Sequence, residues 1–586
     1  MSKNKYITLE KINSPKDLKN LSKKELILLS EEIRDVLINK ISKTGGHFGS
    51  NLGIIELTIA LHYVFSSPID KIVFDVSHQT YTHKILTGRK ELFLDETKFN
   101  LNSGFTNYLE NENDCFTLGH TSTSIGLALG LAKSRDLNNE HFNVISLIGD
   151  GSLSGGVAFE ALSNASLLKS NFVVVINDNE MSIAENHGNI YSILEKLRNN
   201  KAYRESDSNV FVQLGYEYDY IENGNNIEDL IPFLTKYKDT NKPTILHVHT
   251  KKGYGYDLSY KDEEKYHYRA PFNKETGDNL FDVTRTFEVI NGEYFKKKLE
   301  QNTNICLICA GTPKNFNFSK ELRNTYKNRF IDVGISEDLA LLYGVGLSKG
   351  NTKPIVSLSS SFIQRAYDQI AHEVGLNKPN MIVLVDFAGV SKTSATHQGL
   401  FDVAMISAIP NITYLSPSSE EEYISMLDYC INHEGTFFIR LYGGPLLHNS
   451  ITVNENNLTK FEYIIKENNI AIIGISKLSN FALELHDKLK KEGINSSVFV
   501  THNLSYIDKD FLNELINNHK MIVTIEDTYL EGGFGEKISS YLGTRDVKVL
   551  NYGIKKTYID NIDLNNIYHS NRIDINLIIE DILKLN

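Results

Sequence analysis

The sequence predicts an α/β protein of three domains, each built on parallel-type sheets flanked by helices. Three observations predict it. Short runs of β-branched residues recur between helical stretches; those runs are continuously apolar rather than alternating; and 586 residues at 41% hydrophobic and 23% charged make a globular balance with material for several cores. Continuously apolar strands are buried on both faces, as happens when helices cover a parallel sheet on each side.

The elements follow in order. Val144 to Ile148, Phe172 to Ile176 and Ile245 to Val248 read as strands of a first sheet, and Val157 to Ala165 reads as a helix with Val157, Ala161, Leu162 and Ala165 on one face. Ile305 to Gly311, Ile355 to Leu358 and Met381 to Val385 read as strands of a second sheet, and Ile470 to Ile473 and Met521 to Ile525 of a third. Lys251 to Leu280 and Leu446 to Lys460 are polar and lack apolar periodicity, so both read as crossings between domains. The expected domains are 1–284, 285–450 and 451–586. No short-period repeat appears.

The formal net charge of −12 argues against a nucleic-acid partner, and no apolar run approaches the length of a membrane span, so no membrane partner is expected. The N-terminal stretch carries Lys and Glu without an apolar signal core, and four cysteines in 586 residues suit a reducing compartment, so a cytoplasmic protein is expected. Cys306 and Cys309 form C-x-x-C, but inside an apolar strand-like run, where burial explains them better than redox or metal chemistry.

Chemistry concentrates after the strand at Val144. Gly149-Asp150-Gly151-Ser152 lies between that strand and a helix, where a glycine-rich turn lets backbone N–H groups approach a phosphate. Asp150 is the informative residue, because a carboxylate among those amides repels a diphosphate unless a divalent cation lies between them, and Mg2+ is bound by few protein oxygens plus substrate phosphates. The next strand ends in Asn177-Asp178-Asn179-Glu180-Met181, at the sheet edge where a second oxygen ligand belongs. Read blandly, Asp150 caps a helix and Asn177 to Asn179 form an Asx turn. G-D-G followed about thirty residues later by N-D-N resembles the motif of thiamine diphosphate enzymes, and the joint spacing favours metal-diphosphate binding. A Rossmann dinucleotide site is the rival, but it calls for glycines with no acid between them and an acid about 20 residues further on.

With that motif the chain resembles the 1-deoxy-D-xylulose-5-phosphate synthase family of transketolase-like enzymes. The resemblance runs over nearly the whole chain and is densest at Gly45 to Gly53, Phe74 to Arg89, Gly119 to Ser124, Asn177 to Ile183 and Phe362 to Gln369. It implies a homodimer with a diphosphate- and metal-binding first domain, a pyrimidine-binding second domain and a C-terminal transketolase-like domain. It implies thiamine diphosphate and Mg2+ as cofactors, with Asp150, Asn179 and the Met181 carbonyl as metal ligands. His78, Gly119, His120, Thr121, Gly151, Ser152, Asn179, Tyr256 and Phe362 are then cofactor contacts. Glu337 is the carboxyl that activates the cofactor through its pyrimidine ring; without the resemblance it reads as a first-turn helix acid after Ser336. His47, His78 and His267, with His397 as a fourth, match histidines placed for proton transfer, and His47 and Arg365 fall on the substrate side. The implied reaction decarboxylates pyruvate and joins the two-carbon unit to D-glyceraldehyde 3-phosphate, toward isoprenoid and thiamine precursors.

The acceptor side departs from the family pattern. Phe387 and Gly443 stand where arginines are usual, Ser359 where tyrosine is, and Thr393 where aspartate is. Ser77 replaces a glycine before His78, Asp338 and Leu339 replace the usual Gln and His after the glutamate, and the 188–215 segment is shorter. Neither phenylalanine nor glycine supplies a phosphate fork. Two further readings stay open on that ground: a relative using an unphosphorylated or other aldehyde, or another ketol donor, and a non-catalytic binding relative.

Overall fold

The computed structural model describes residues 5–101, 104–281, 284–301, 304–560 and 563–585. The chain divides into two compact units, 1–282 with 334–336, and 283–333 with 337–586.

The first unit contains β1 (Gly46–His47), β2 (Lys71–Phe74), β3 (Val144–Gly149), β4 (Phe172–Asp178), β5 (Glu217–Ile221), β6 (Pro243–His249) and β7 (Tyr268–Arg269). Five of these form a parallel sheet in the order β2-β3-β4-β6-β5. Every residue of β4 is buried, including the β-branched run Val173 to Ile176, as a central strand covered on both faces requires. Helix α1 (Ser124–Leu137) and helix α2 (Gly156–Ala165) pack on this sheet, and α3 (Asn189–Asn199) follows β4. The buried face of α2 is Ala158, Ala161, Leu162 and Ala165, a strict i, i+3, i+4, i+7 set, while Val157 lies one residue out of phase and is exposed. The helix is therefore where the periodicity placed it, with Ala158 in the role expected of Val157.

The segment 251–280 does more than cross. Its strand β7 pairs antiparallel with β1, setting His47 opposite Tyr268, and Phe48 N–H and Gly49 N–H donate to the carbonyls of His267 and Tyr266. A stretch almost without aliphatics is thus tied by its backbone to the Gly45–Gly53 segment.

The second unit holds two sheets. Strands β8 (Ile305–Cys309), β9 (Phe330–Asp332), β10 (Lys353–Ser359), β11 (Met381–Ala388), β12 (Thr413–Leu415) and β13 (Thr436–Tyr442) form a parallel sheet in the order β12-β13-β11-β10-β8-β9. Helix α4 (Glu337–Lys349) packs against β10. Strands β14 (Phe461–Ile465), β15 (Asn469–Gly474), β16 (Ser496–Thr501), β17 (His519–Tyr529) and β18 (Lys548–Ile554) form the other, in the order β14-β16-β15-β17-β18 with only β14 antiparallel. Cys306 and Cys309 lie on β8 and, three residues apart, face different hydrophobic clusters. Both thiols are raised by burial, Cys306 to about 11, which suits packing rather than reactivity.

The two sheets of this unit share one hydrophobic cluster, in which Ile406 and Tyr414 join Phe499, Ile522 and Phe534. Arg440 of β13 is fully buried and joins the sheets electrostatically, Nε donating to Asp402 Oδ2 at 2.7 Å and Nη1 to Asp527 Oδ1 at 3.0 Å. Among the described residues no helix is long and apolar enough to cross a membrane.

Candidate active site

In the first unit the turn after β3 carries Asp150, which is buried, and its Oδ2 accepts from Asn186 Nδ2 at 2.8 Å. Burial and the nearby negative charge of Asp178 push the Asp150 carboxyl up to about 8. Asp178, at the end of β4, goes the other way: burial raises it, but the hydrogen bond from His247 Nε2 at 2.8 Å and the ion pair with Arg198 of α3 hold it below its ordinary value. Asp178 is therefore committed to its own partners and leaves Asp150 as the carboxylate in need of a counter-charge. Lys252 supplies part of one. Its ammonium is buried, donates to the Ser182 carbonyl at 2.6 Å, and is lowered to about 8 by burial against the opposing pull of Asp150.

Close packing shapes the turn. A Cβ on Gly151 would stand 3.0 Å from Ser182 Oγ, and one on Gly155 would stand 2.2 Å from Ser122 Oγ. Ser122 Oγ donates to the Ser152 carbonyl at 2.8 Å, linking the Gly119-His120-Thr121 loop to the Asp150 turn. That loop is set by Asp75, whose buried carboxylate accepts the N–H groups of Ser122, Thr123 and Ser124 at 2.8 to 3.0 Å and so caps α1 from a distant strand end. Asn179 Oδ1 accepts from Met181 N at 3.3 Å, an Asx-type turn that bends the chain after β4.

A diphosphate with a divalent cation suits this turn. Asp150 is an acid raised by burial and by a like charge, a state that a cation relieves, and Asn186 Oδ1 is a buried oxygen without a hydrogen-bond partner among the described residues. Among those residues no cluster of three or more His, Cys, Asp or Glu is placed to hold a metal, so amide or carbonyl oxygens, phosphate oxygens and water would have to supply the rest of the shell.

The three histidines of the first unit come together. Ring centroids of His47 and His78 are 4.9 Å apart, of His47 and His267 5.6 Å, and of His78 and His267 5.5 Å. Asn51 fixes two of them through the backbone, its Nδ2 donating to the carbonyls of His47 at 2.7 Å and His78 at 2.8 Å, while its Oδ1 accepts from Tyr81 N at 2.9 Å. Tyr256 stands among Phe48, Tyr266 and Phe272, and its hydroxyl donates to the Lys274 carbonyl at 2.7 Å.

In the second unit Glu337 opens α4 and is buried. Burial raises its carboxyl, and Arg365 opposes the rise, its Nη1 donating to Glu337 Oε2 at 3.0 Å. The residue expected to meet substrate thus also serves the residue expected to meet cofactor. Phe362 and His397 meet edge to face with centroids 5.5 Å apart, and His397 Nδ1 is 2.8 Å from Thr396 Oγ1.

A 1-deoxy-D-xylulose-5-phosphate synthase family model matches residues 9–214, a transketolase pyrimidine-binding-domain model residues 285–442, and a transketolase C-terminal-domain model residues 460–576. The chain is 36% identical to the 1-deoxy-D-xylulose-5-phosphate synthase of Caldanaerobacter subterraneus subsp. tengcongensis, the alignment covering 98% of this chain and 99% of that protein. It is 38% identical to the synthase of Natranaerobius thermophilus over 90% of each chain. The chain belongs to the 1-deoxy-D-xylulose-5-phosphate synthase family. That family consists of thiamine diphosphate-dependent transferases. A solved transketolase from Campylobacter jejuni subsp. jejuni is 17% identical, with a TM-score of 0.43 over 95% of this chain and 98% of that one.

The positions read from the sequence as departing from the synthase pattern have definite environments. Ser77 is left-handed at φ 69°, a conformation that favours the glycine expected there, and its hydroxyl donates to the Leu118 carbonyl at 3.2 Å and accepts from Thr106 N at 2.9 Å. Phe387 and Gly443 are neighbours: a Cβ on Gly443 would stand 3.7 Å from Phe387 Cδ1. Ser359 is buried and in register with Asp386 across β10 and β11. Thr393 lies in a loop strapped by Gln398, whose Nε2 donates to the carbonyls of Ser391 and Thr393, each at 3.0 Å.

Sequence reasoning missed Asn51, Asp75, Asn186 and Lys252. Asn51 and Asp75 sit inside the segments that carry the family resemblance, but they act on backbone groups, which no side-chain motif announces. Lys252 and Asn186 look like surface polar residues until the turn around Asp150 is folded.

Proposed function

We propose that the chain is a thiamine diphosphate- and Mg2+-dependent synthase that decarboxylates pyruvate and joins the two-carbon unit to D-glyceraldehyde 3-phosphate, forming 1-deoxy-D-xylulose 5-phosphate for isoprenoid and thiamine precursor synthesis. The observation that carries this reading is the buried Asp150 carboxyl at a glycine turn, hydrogen-bonded to Asn186, in a chain of this family. Asp150, Asn179 and the Met181 carbonyl would hold the cation. Gly119 to Thr121, Gly151, Ser152 and His78 would hold the diphosphate side, and Tyr256 and Phe362 would flank the rings.

Thiamine diphosphate, when bound, supplies the nucleophilic carbon and the electron sink that 2-oxo acid decarboxylation requires. The chain supplies proton management. Glu337, raised by burial, can hold a proton toward a ring nitrogen while Arg365 keeps the carboxyl oriented. His47, His78 and His267 form a cluster that can pass protons to and from an aldehyde oxygen, with Asn51 fixing the backbone under two of them. His397, which meets Phe362 edge to face, would do the same kind of work. Arg365 and His47 are the substrate-side groups.

The reading extends to three domains at 1–284, 285–450 and 451–586, to a homodimer and to a cytoplasmic location. Its test is carbon dioxide release from pyruvate by the purified chain with thiamine diphosphate and Mg2+, and appearance of the phosphorylated ketose when D-glyceraldehyde 3-phosphate is added. Absence of both would overturn it.

A further inference from the structure

Strands β8, β10, β11 and β13 are parallel neighbours, and their C-terminal ends with the segments leaving them carry Lys314, Ser359 to Arg365, Phe387 and Gly443. In open α/β sheets small ligands gather at that edge. His397 belongs to the same edge, because Gly389 and Gly399 pair by backbone hydrogen bonds of 2.7 and 3.2 Å and draw its loop onto the end of β11.

Phe387 is held at φ 54°, a left-handed conformation that a bulky residue rarely adopts and that collects at functional sites. Its ring is half-buried, with one edge against Gly443, where the absence of a side chain leaves the approach open. Lys314 Nζ stands 5.9 Å from the ring centroid, within cation–π range. The lysine is exposed and forms no ion pair among the described residues. The edge therefore presents a strained aromatic floor, a gap beside it and an ammonium group above it.

We propose that Lys314, steadied over Phe387, receives the phosphate of the aldehyde acceptor and is the residue that sets preference for a phosphorylated acceptor. The inference rests on the function proposed above and names how that site reads its second substrate. An ammonium is a point charge on a flexible stem, not a two-pronged fork, so the preference is salt-sensitive and tolerant of phosphate orientation.

Glycerol 3-phosphate is the probe, titrated calorimetrically into the chain with thiamine diphosphate and Mg2+ present, for wild type, Lys314→Met and Lys314→Arg. The expected result is binding weakened roughly tenfold in Lys314→Met and retained in Lys314→Arg. Equal binding by all three, or no binding by wild type, would overturn the inference. Because the titration needs no turnover, it stays decisive even for a chain that releases no carbon dioxide, a result that would instead refute the proposed function. With turnover present, Lys314→Met should raise KM for D-glyceraldehyde 3-phosphate and leave KM for glyceraldehyde unchanged; an equal rise for both would also overturn it.

Discussion

Arg365 Nη1 donates to Glu337 Oε2 at 3.0 Å, so the guanidinium that the sequence places on the substrate side is also the charge that tempers a buried carboxyl. The two residues are 28 positions apart, and neither motif reveals the pairing. Burial pushes the Glu337 carboxyl up and Arg365 pulls it down. Arg365→Gln removes the opposing pull, so the carboxyl rises further. If the protonated form is the working one, the alkaline limb of the rate–pH profile moves to higher pH in the variant. An unmoved limb with a lower rate would assign Arg365 to substrate alone.

Glu337→Gln separates binding from chemistry. The amide retains size and most packing but cannot exchange a proton as the acid does. Cofactor affinity measured by calorimetry should stay within a few-fold of wild type while turnover falls by roughly a hundredfold or more. Equal losses in both would make Glu337 a structural residue.

Asn51→Ala removes one acceptor and two donors from a buried amide, leaving the carbonyls of His47 and His78 without those bonds. The cost to stability should be about 2 to 4 kcal/mol, read from urea midpoints. Carboligation should fall more than pyruvate decarboxylation, because the histidines are assigned to the aldehyde step. A variant with wild-type stability would show that Asn51 does not clamp them.

Asp386 gives a pH prediction away from any metal site. Its carboxyl is buried, bonded by Ser357 Oγ and by Asn315 Nδ2 at 3.2 Å, and pushed up to about 8 chiefly by burial. A raised folded value means that its stabilising contribution is complete below the unfolded value near 4 and is lost as pH rises toward 8. Asp386→Asn has no proton to lose. It should therefore gain on wild type by roughly 2 kcal/mol or more between pH 5 and pH 8.5 in denaturant titrations. Parallel stability–pH curves for the two proteins would contradict the buried neutral acid.

The sheets were readable because continuously apolar β-branched runs have few alternatives: β3, β4, β10, β11, β15 and β17 all fall on such runs. The helix at 156–165 was readable to within one residue of phase. Asp150 and Asn179 stood out as candidates because a carboxylate in a phosphate-type turn is chemically odd. What escaped was long-range backbone capture. His267 reaches His47 through a two-residue strand in a segment poor in aliphatics, and Asp75 caps a helix that begins 49 residues later. Such contacts depend on loop geometry, which carries no periodic signal.

The central claim is that Asp150 and Asn179 hold a divalent cation for thiamine diphosphate. The most direct measurement is calorimetric titration of thiamine diphosphate into the purified chain with Mg2+, with EDTA, and with Asp150→Asn in Mg2+. Saturable binding that requires Mg2+ and weakens at least a hundredfold in Asp150→Asn is the predicted result, with the ligand-free variant no less stable than wild type because a buried acid beside Asp178 is gone. No binding in Mg2+, or equal binding with and without the cation, would contradict it.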